Sequence, residues 1–537
     1  MKPYKAPLAD IFFSLKNIAG ADQLSDWDED LALEVAGAFA HFAENEIAPL
    51  NSPGDLEGCR LENGRVFLPK GFQDTYQQLA AAGWQGLSIS EKLGGQGLPG
   101  LLQYVISEIF SGANHSLQMV AGLVPGAAHV LTRFGTEQQQ QTLIPLLASG
   151  SYLATMCLTE SGAGSDLARI RCKATAIGDA WEISGEKIFI SGGDQNLSDG
   201  ILHLVLARTS DEGIRGLSLF ACRSVLEDGR RNRVSVERIE EKMGLHASPT
   251  CQLHFDKAEA KIIGLPGEGL KCMFAMMNHA RTDVALQGVA HAARAYDIAS
   301  AYAAERLQGT DNSGHQVTID RHEDVRQMLD DMASLAIGSR AIAHSVLVLI
   351  ESGENQPLVD FLTPVAKAFC SESATTAAYL AQQVLGGYGY LQEYEVEQIF
   401  RDARITAIYE GTNGIHAKTL LQRGLARGRG ANMFQDLIAG WVKETASVEL
   451  ASAQQIWESI RSRLEQENYP SSAARDFMQM TANLLFMAQW ARILDRSEES
   501  PSPEEYRRAG RRVLKRTPHE IRCLSEKLLE ELDDIAV

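Results

Sequence analysis

No Cys-x-x-Cys pair occurs in the sequence: its 8 cysteines, Cys59, Cys157, Cys172, Cys222, Cys251, Cys272, Cys370 and Cys523, lie scattered along 537 residues. Structural zinc sites and disulfide frameworks both need clustered or regularly spaced cysteines, so neither is expected, no metal is expected, and a reducing compartment fits. Nor is there a run of about eighteen apolar residues, the length that spans a bilayer. The opening MKPYKAPLADIFFSLKNIAG has no unbroken apolar stretch. Neither a membrane span nor a secretion signal is expected, and the cytoplasm is the expected location. Positive charge is scarce: 50 Lys and Arg against 69 Asp and Glu leave a net −19. Such a chain repels phosphate backbones and anionic lipid headgroups, so nucleic acid is not an expected partner and membrane contact is not favoured. No G-x-G-x-x-G followed by a βαβ unit is present, which excludes a Rossmann site, and no solenoid repeat is visible.

What is present is an ordinary globular composition, 45% hydrophobic and 22% charged, on a chain long enough for several cores. Four segments follow in order. Residues 1–155 read as helical, with Leu31, Val35, Ala38, Phe39 and Phe42 on one face of DEDLALEVAGAFAHFAENEI and a glycine-rich loop at SISEKLGGQGLPG. Residues 156–270 change to a strand-and-turn rhythm, with a hairpin centred on Gly178-Asp179 and further strands in GILHLVLARTS, IRGLSLFACRS and CQLHFDKAEAKII. From 271 to 430 the helical period returns. One stripe runs through Met273, Met277, Ala280, Val284, Gly288, Ala292, Ala295, Ala299 and Ala303; another runs through Val325, Met328, Met332, Leu335, Ser339, Ile342, Val346 and Leu349, and a third helix covers 364–384. Glycines in RGLARGRGANM mark a break, after which 431–537 forms an additional helical module with helices in FQDLIAGWVKE, SAARDFMQMTANLLFMAQWARIL and EIRCLSEKLLEEL. Its basic run RRAGRRVLKR reads as the polar face of an amphipathic helix. The fold class is mainly α with an inserted β domain.

Two stretches carry chemistry. In TMCLTESGAGSDLARIRCKA, small residues and hydroxyls let backbone N–H groups approach a ligand, although by composition alone this is a connector. In IYEGTNGIHA, Glu410 is a lone acid, a loop cap or a base.

Taken as strings, these and three further stretches resemble the acyl-CoA dehydrogenase family. TMCLTESGAGS is similar to its flavin-binding signature, ISGEKIFISGG to its second flavin segment and EKMGLHASPTCQLHFDKAEA to the end of its β domain. LAQQVLGGYGY resembles the glycine-rich turn that meets the flavin, and AIYEGTNGIHA the segment that carries the base. The short insertion in FISGGDQNLSDGILHLVLART and the length beyond residue 430 resemble a bacterial branch with an extra C-terminal domain. The fold implied is an N-terminal helical domain, a middle β-barrel or sandwich and a C-terminal four-helix bundle, here with an added helical module.

The resemblance implies FAD, an acyl-CoA substrate, electron-transfer flavoprotein as partner and a homodimer or homotetramer. It makes Glu410 the base that removes the α proton, with its backbone N–H on the thioester oxygen, Gly411 keeping the turn thin, Tyr409 beside it and Thr412 bonding the cofactor. Family members that place the base before an arginine would have it at the residue before Arg281, which is Ala280 and holds no carboxylate. Arg281 and Asn278 fall on the substrate side. Met156, Leu158 and Thr159 correspond to the flavin ring edge, Ser165 to pyrophosphate or CoA, and Phe189 and Ser191 to the second flavin segment, where relatives often have Trp and Thr. Arg306 matches a pyrophosphate partner, and Gln383 and Gly387 match residues that a neighbouring subunit sends to the adenosine half. Gly414 stands where many relatives have Gln, and Glu323 follows His322 where Gln is common. Two other readings stay open: an oxidase that passes electrons to oxygen, and a flavin-bearing binding protein without catalysis.

Overall fold

In the computed structural model residues 2–426 and 428–536 are described, with the side chains of Ile535 and Ala536 set aside; Arg427, in the expected glycine break, lies outside the described residues. Helices α1 (Leu8–Phe13), α2 (Glu29–Phe42) and α3 (Asn51–Glu57) precede a small hairpin of β1 (Arg60–Glu62) and β2 (Arg65–Phe67). Helices α4 (Phe72–Ala81), α5 (Gly100–Ala121), α6 (Val124–Phe134) and α7 (Glu137–Ala148) follow. The strands come next: β3 (Tyr152–Cys157), β4 (Lys173–Ile177), β5 (Ala180–Ser191), β6 (Gly200–Arg208), β7 (Leu217–Arg223), β8 (Val234–Ile239) and β9 (Thr250–Ile263). Helix α8 (Gly269–Glu305) leads through a second hairpin, β10 (Leu307–Thr310) and β11 (Gln316–Thr318), into α9 (Glu323–Glu351) and α10 (Gln356–Leu385). Then come α11 (Val396–Ala403), α12 (Asn413–Thr419), α13 (Arg429–Thr445), α14 (Val448–Gln466), α15 (Ala474–Asp495) and α16 (Pro503–Ala536).

These elements form two compact units. One takes the chain up to His41, Tyr104–Gly112 and everything from Arg281; the other takes Phe42–Gln103 and Ala113–Ala280. Residues from 431 onward fall in the same unit as the helices before them.

In the second unit the strands β6, β4, β5, β9 and β7 pair in a closed ring, with β3 also on β6 and β8 also on β9. Closure explains why β6, GILHLVLAR, is buried along nearly its whole length instead of alternating: neighbours lie on both of its edges and protein covers both of its faces. The β4–β5 hairpin turns at Gly178 and Asp179, as the sequence indicates, and the positive φ (58°) falls on Gly178, the first central position, as in a II′ turn.

In the first unit α8, α9 and α10 form the bundle. Their contact is made by small residues, Ala292, Ala295, Ala299 and Ala303 against Ala377, Ala378 and Ala381. Gly288 lets α8 approach α10 closely, since a Cβ there would stand 2.5 Å from the Cys370 carbonyl oxygen. The α9 stripe read from the sequence is only part of what is buried, because α15 and α16 cover the remaining sides. Trp490 Nε1 donates to the Ser334 carbonyl at 3.1 Å, and Gly338 leaves room for the Phe486 and Trp490 rings. By length and hydropathy α9 would also cross a membrane, but 78% of its apolar window is buried inside the protein.

Four sequence expectations change here. The buried face of α2 is Ala32, Ala36, Phe39 and Ala40, while Leu31 is exposed; apart from Phe39 the buried side is alanine, which a reading by large apolar residues passes over. The helical reading of 1–155 misses the β1–β2 hairpin and the start of β3, and the reading of 271–430 misses β10–β11. Helix α14 was not among the expected helices. Helix α16 begins at Pro503, so the basic run lies on it, and Arg508 pairs with Asp330 while Arg512 and Arg516 pair with Asp331 of α9. The run keeps the polar face expected of it, with Ala509 and Val513 buried on the opposite side, and part of that face is an interhelical charge seam.

Glu108 on α5 is fully buried with Arg340 Nε at 2.8 Å and His344 Nε2 at 3.0 Å. Burial alone would raise its pKa; the adjoining Arg340 and His344 overcome that and hold it at about 2. The stability it contributes is thus present above the ordinary carboxyl value and is lost as pH falls toward the depressed one. Glu108→Gln, which strands Arg340, is expected to cost about 3–5 kcal/mol, read as a lowered urea midpoint at neutral pH by tryptophan fluorescence.

Candidate active site

Glu410 sits between α11 and α12 at the tip of a turn in which two successive residues have positive φ, Glu410 at 54° and Gly411 at 91°. Glycine suits that region; a glutamate there is strained by about 1–3 kcal/mol and must be held by its surroundings. The holding groups come from three helices. The Glu410 carbonyl accepts from Arg281 Nε of α8 at 3.4 Å and from His416 Nε2 of α12 at 3.1 Å. The Gly411 carbonyl accepts from Lys367 Nζ of α10 at 2.9 Å, and Lys367 also donates to Asn413 Oδ1 at 3.0 Å. Thr412 caps α12, its hydroxyl accepting from the Ile415 N–H, and the Tyr409 hydroxyl bonds Gln287 Oε1 of α8.

The electrostatics follow from burial. The Glu410 residue keeps some exposure, but its carboxyl group lies deep among protein atoms; burial pushes its pKa up to about 7, against the pull of Arg281 and Lys367 and with a push from Asp283. Lys367 has no exposed surface, and burial brings it down to about 7, opposed by Glu410 and aided by Arg281. Burial likewise lowers Arg281, and it brings His416 to about 3, with Arg281 and Lys367 adding to the effect. His416 is therefore neutral and able to donate through Nε2. A carboxyl group whose proton affinity matches neutral pH is suited to accepting a proton from carbon and giving it up again.

In the other unit, Met156 lies on β3, Leu158 and Thr159 just beyond it, and Phe189 and Ser191 on β5; the Ile188 N–H donates to the Thr159 carbonyl at 2.9 Å, which brings the two strands' ends together. Beneath them Lys187, wholly buried, donates to the Leu158 carbonyl at 2.8 Å and to Glu160 Oε1 at 2.9 Å. Glu160 in turn accepts from the N–H groups of Arg171 and Cys172. Phe189 combines a positive φ of 59° with 60% exposure, an unusual state for a large aromatic. Ser165 is exposed in the loop and Asn278 is exposed on α8.

Arg306 and Gly387 line one cavity of about 470 Å³ with Tyr302 and Tyr388, and Gln383 stands exposed on the last turn of α10. Within the first unit the structure thus brings Glu410, Arg281, Tyr409, Gly411 and Thr412 into one constellation and Arg306 with Gly387 into another. Sequence reasoning missed Lys367, Lys187, His416, Asn413 and Gln287. The signal for Lys367 was a single lysine within the small and apolar run TPVAKAFCS, where a charge has no obvious outlet to water.

Each unit by itself offers features that suit part of a large, flat, phosphate-bearing group. In the second unit Gly162 and Gly164 have nothing within 4 Å of the place a Cβ would take, and Phe189 offers an aromatic face. In the first, Gly386 and Gly387 are equally open and Arg306 is the charge suited to a pyrophosphate.

Comparison with known proteins agrees. Models of the acyl-CoA dehydrogenase family match in chain order: the N-terminal domain over residues 30–151, the middle domain over 155–258 and the C-terminal domain over 267–425. The chain is 40% identical to 3-methylmercaptopropionyl-CoA dehydrogenase of Ruegeria pomeroyi over 89% of its own length and 85% of that protein's. It is 33% identical to a broad-specificity linear acyl-CoA dehydrogenase of Mycobacterium tuberculosis over 83% and 78%. In fold it is similar to an acyl-CoA dehydrogenase from Bacillus anthracis solved with FAD, at a TM-score of 0.77 and 21% identity over 98% of this chain and 93% of that one. The chain belongs to the acyl-CoA dehydrogenase family, with additional C-terminal helices. It is accordingly an FAD-dependent oxidoreductase that dehydrogenates acyl-CoA.

Gly411→Ala would force a side chain into a left-handed backbone 3.1 Å from His416 Nε2. It should cost about 1–2 kcal/mol, visible as a lower thermal midpoint, whereas the same change at the helical, open Gly440 should be neutral or better.

Proposed function

We propose that Glu410 is the base of this dehydrogenation and that the product is the trans-2-enoyl-CoA. One observation carries the reading: a carboxyl group desolvated to near-neutral proton affinity, on a strained turn that three helices hold in place. When bound, FAD supplies the acceptor for the hydride that leaves the β carbon. The chain's own work is on the other hydrogen. Glu410, ionised, takes the α proton and becomes the neutral acid. Its backbone N–H, which has no hydrogen-bond partner among the described residues, donates to the thioester carbonyl as enolate character develops, stabilising charge that appears only on the way to the transition state. Arg281 and His416 hold the peptide carbonyl of the same residue and so fix the direction of its side chain. By the family likeness, Thr412 of the first unit is a cofactor residue, and so are Met156, Leu158, Thr159, Ser165, Phe189 and Ser191 of the second. Ser165, Asn278, Arg281, Tyr409 and Gly411 take the substrate side.

Arg306 pairs with the cofactor's pyrophosphate, and Gln383 and Gly387 serve the adenosine half of a second copy's cofactor, which makes the working form a homodimer or homotetramer. Exposed Tyr388 and Leu391 line the cavity that holds Arg306 and Gly387, exposed Tyr390 (86%) and Leu307 lie next to its lining residues in sequence, and together they support a covered surface there. The electrons pass to electron-transfer flavoprotein, the acceptor implied by the family likeness, and the protein works in the cytoplasm. The substrate is a short or linear acyl-CoA, by likeness to the two named relatives.

Mixing the yellow holoenzyme with a panel of acyl-CoAs without oxygen tests the reading. Wild type should bleach, faster as pH rises through about 7 because only the ionised carboxyl accepts a proton. Glu410→Gln should bind thioester yet bleach slower by a factor of about 10²–10⁴; a wild-type rate would refute the assignment. Peroxide formed in step with turnover in air would favour an oxidase.

A further inference from the structure

We propose that Lys367, through its ammonium charge and its two hydrogen bonds to the turn, is the positioning residue that keeps Glu410 ionised and aimed; this rests on Glu410 being the base. Lysines are almost never fully buried, because removing an ammonium from water is costly unless a partner charge is at hand. Lys367 has no exposed surface, and it lies in the middle of α10 at the floor of the turn. Two of its three N–H groups are spent on the residue after Glu410 and on the first residue of α12. Asn413 continues the link through Nδ2 to Ser371 Oγ at 3.1 Å and Glu372 Oε1 at 3.1 Å. If Lys367 were only a strut for the turn, an uncharged donor would serve as well and without the desolvation cost.

The charges around the pair can be followed element by element. From α8 come Arg281 and Asp283, from α10 Lys367 and Glu372, from α12 His416, which is neutral, and from the turn Glu410 itself. Burial favours the neutral acid; Arg281 and Lys367 are the two cations that oppose it. Arg281 keeps its proton under all working conditions. Lys367 is the adjustable member, since burial has brought its proton affinity into the same range as that of the carboxyl, and the two titrate as a coupled pair. Removing the ammonium should therefore raise the pH at which Glu410 becomes a base.

The test uses the holoenzyme and an acyl-CoA with an α CH2 but a quaternary β carbon, such as 3,3-dimethylbutanoyl-CoA, in D2O. No hydride can leave, so deuterium entry at the α carbon, read by mass spectrometry against pH, reports the base alone. In Lys367→Met the acid limb of the exchange profile should move up by about one pH unit, so that exchange one unit below the wild-type midpoint falls by about tenfold. Lys367→Arg, which keeps the charge, should return the limb to the wild-type position. Flavin content and thermal midpoint are measured in parallel, and should Lys367→Met fail to hold flavin, Lys367→Gln carries the same test with a donor but no charge. An unmoved limb in the uncharged variants, or an equal displacement in Lys367→Arg, overturns the proposal. Glu410→Gln run alongside separates the two readings: wild-type exchange there overturns both, whereas its loss together with an unmoved limb in Lys367→Met removes only Lys367.

Discussion

Withdrawing charge from water is the constraint on which the candidate site depends. A carboxyl group in bulk solvent is too weak a base to take a proton from carbon, and burial strengthens it only at the cost of making ionisation harder. The protein answers with a balance: enough desolvation to bring Glu410 to near-neutral proton affinity, and two buried cations, Arg281 and Lys367, to keep it from becoming a permanently neutral acid. The left-handed turn is part of the same balance. It aims the carboxyl group, and it does so because its carbonyls are tied to those cations and to His416.

The helical bundle exists, for this purpose, to bring the three tethers to one place. Arg281 and Gln287 come from α8 and Lys367 from α10, and those helices can approach only because their contact is built of alanines and of Gly288. Helices α15 and α16 then cover α9, so that a very apolar helix is buried, while partly exposed arginines on α16 pair with Asp330 and Asp331 at its edge. The second unit repeats the device at its own loop. Lys187 lies under the residues after β3 as Lys367 lies under the turn, each a buried lysine whose Nζ holds a main-chain carbonyl.

The alternation of helical and strand periods was enough to read the mainly α fold and its inserted β domain, and the order of short glycine-bearing strings was enough to read the family. The turn at Glu410 was legible because its residue types, Tyr-Glu-Gly-Thr, carry the likeness directly. What the sequence hid were contacts between residues far apart in the chain. Lys367 lies 44 residues from the carbonyl it holds, and nothing in the period of α10 distinguishes a buried lysine from one reaching the surface. The face of α2 was misread because a stripe of large apolar residues was sought, whereas its buried side is alanine apart from Phe39. The basic run on α16 was legible as the polar face of a helix, but its partners were not, because Asp330 and Asp331 sit on another helix.

The most direct measurement is an infrared titration of the resting enzyme, wild type minus Glu410→Gln, following the stretch of one protonated carboxyl group. The account predicts that this band disappears with a midpoint near pH 7, set by burial against Arg281 and Lys367. A midpoint near the ordinary 4.5, the value of a carboxylate in water, would contradict it.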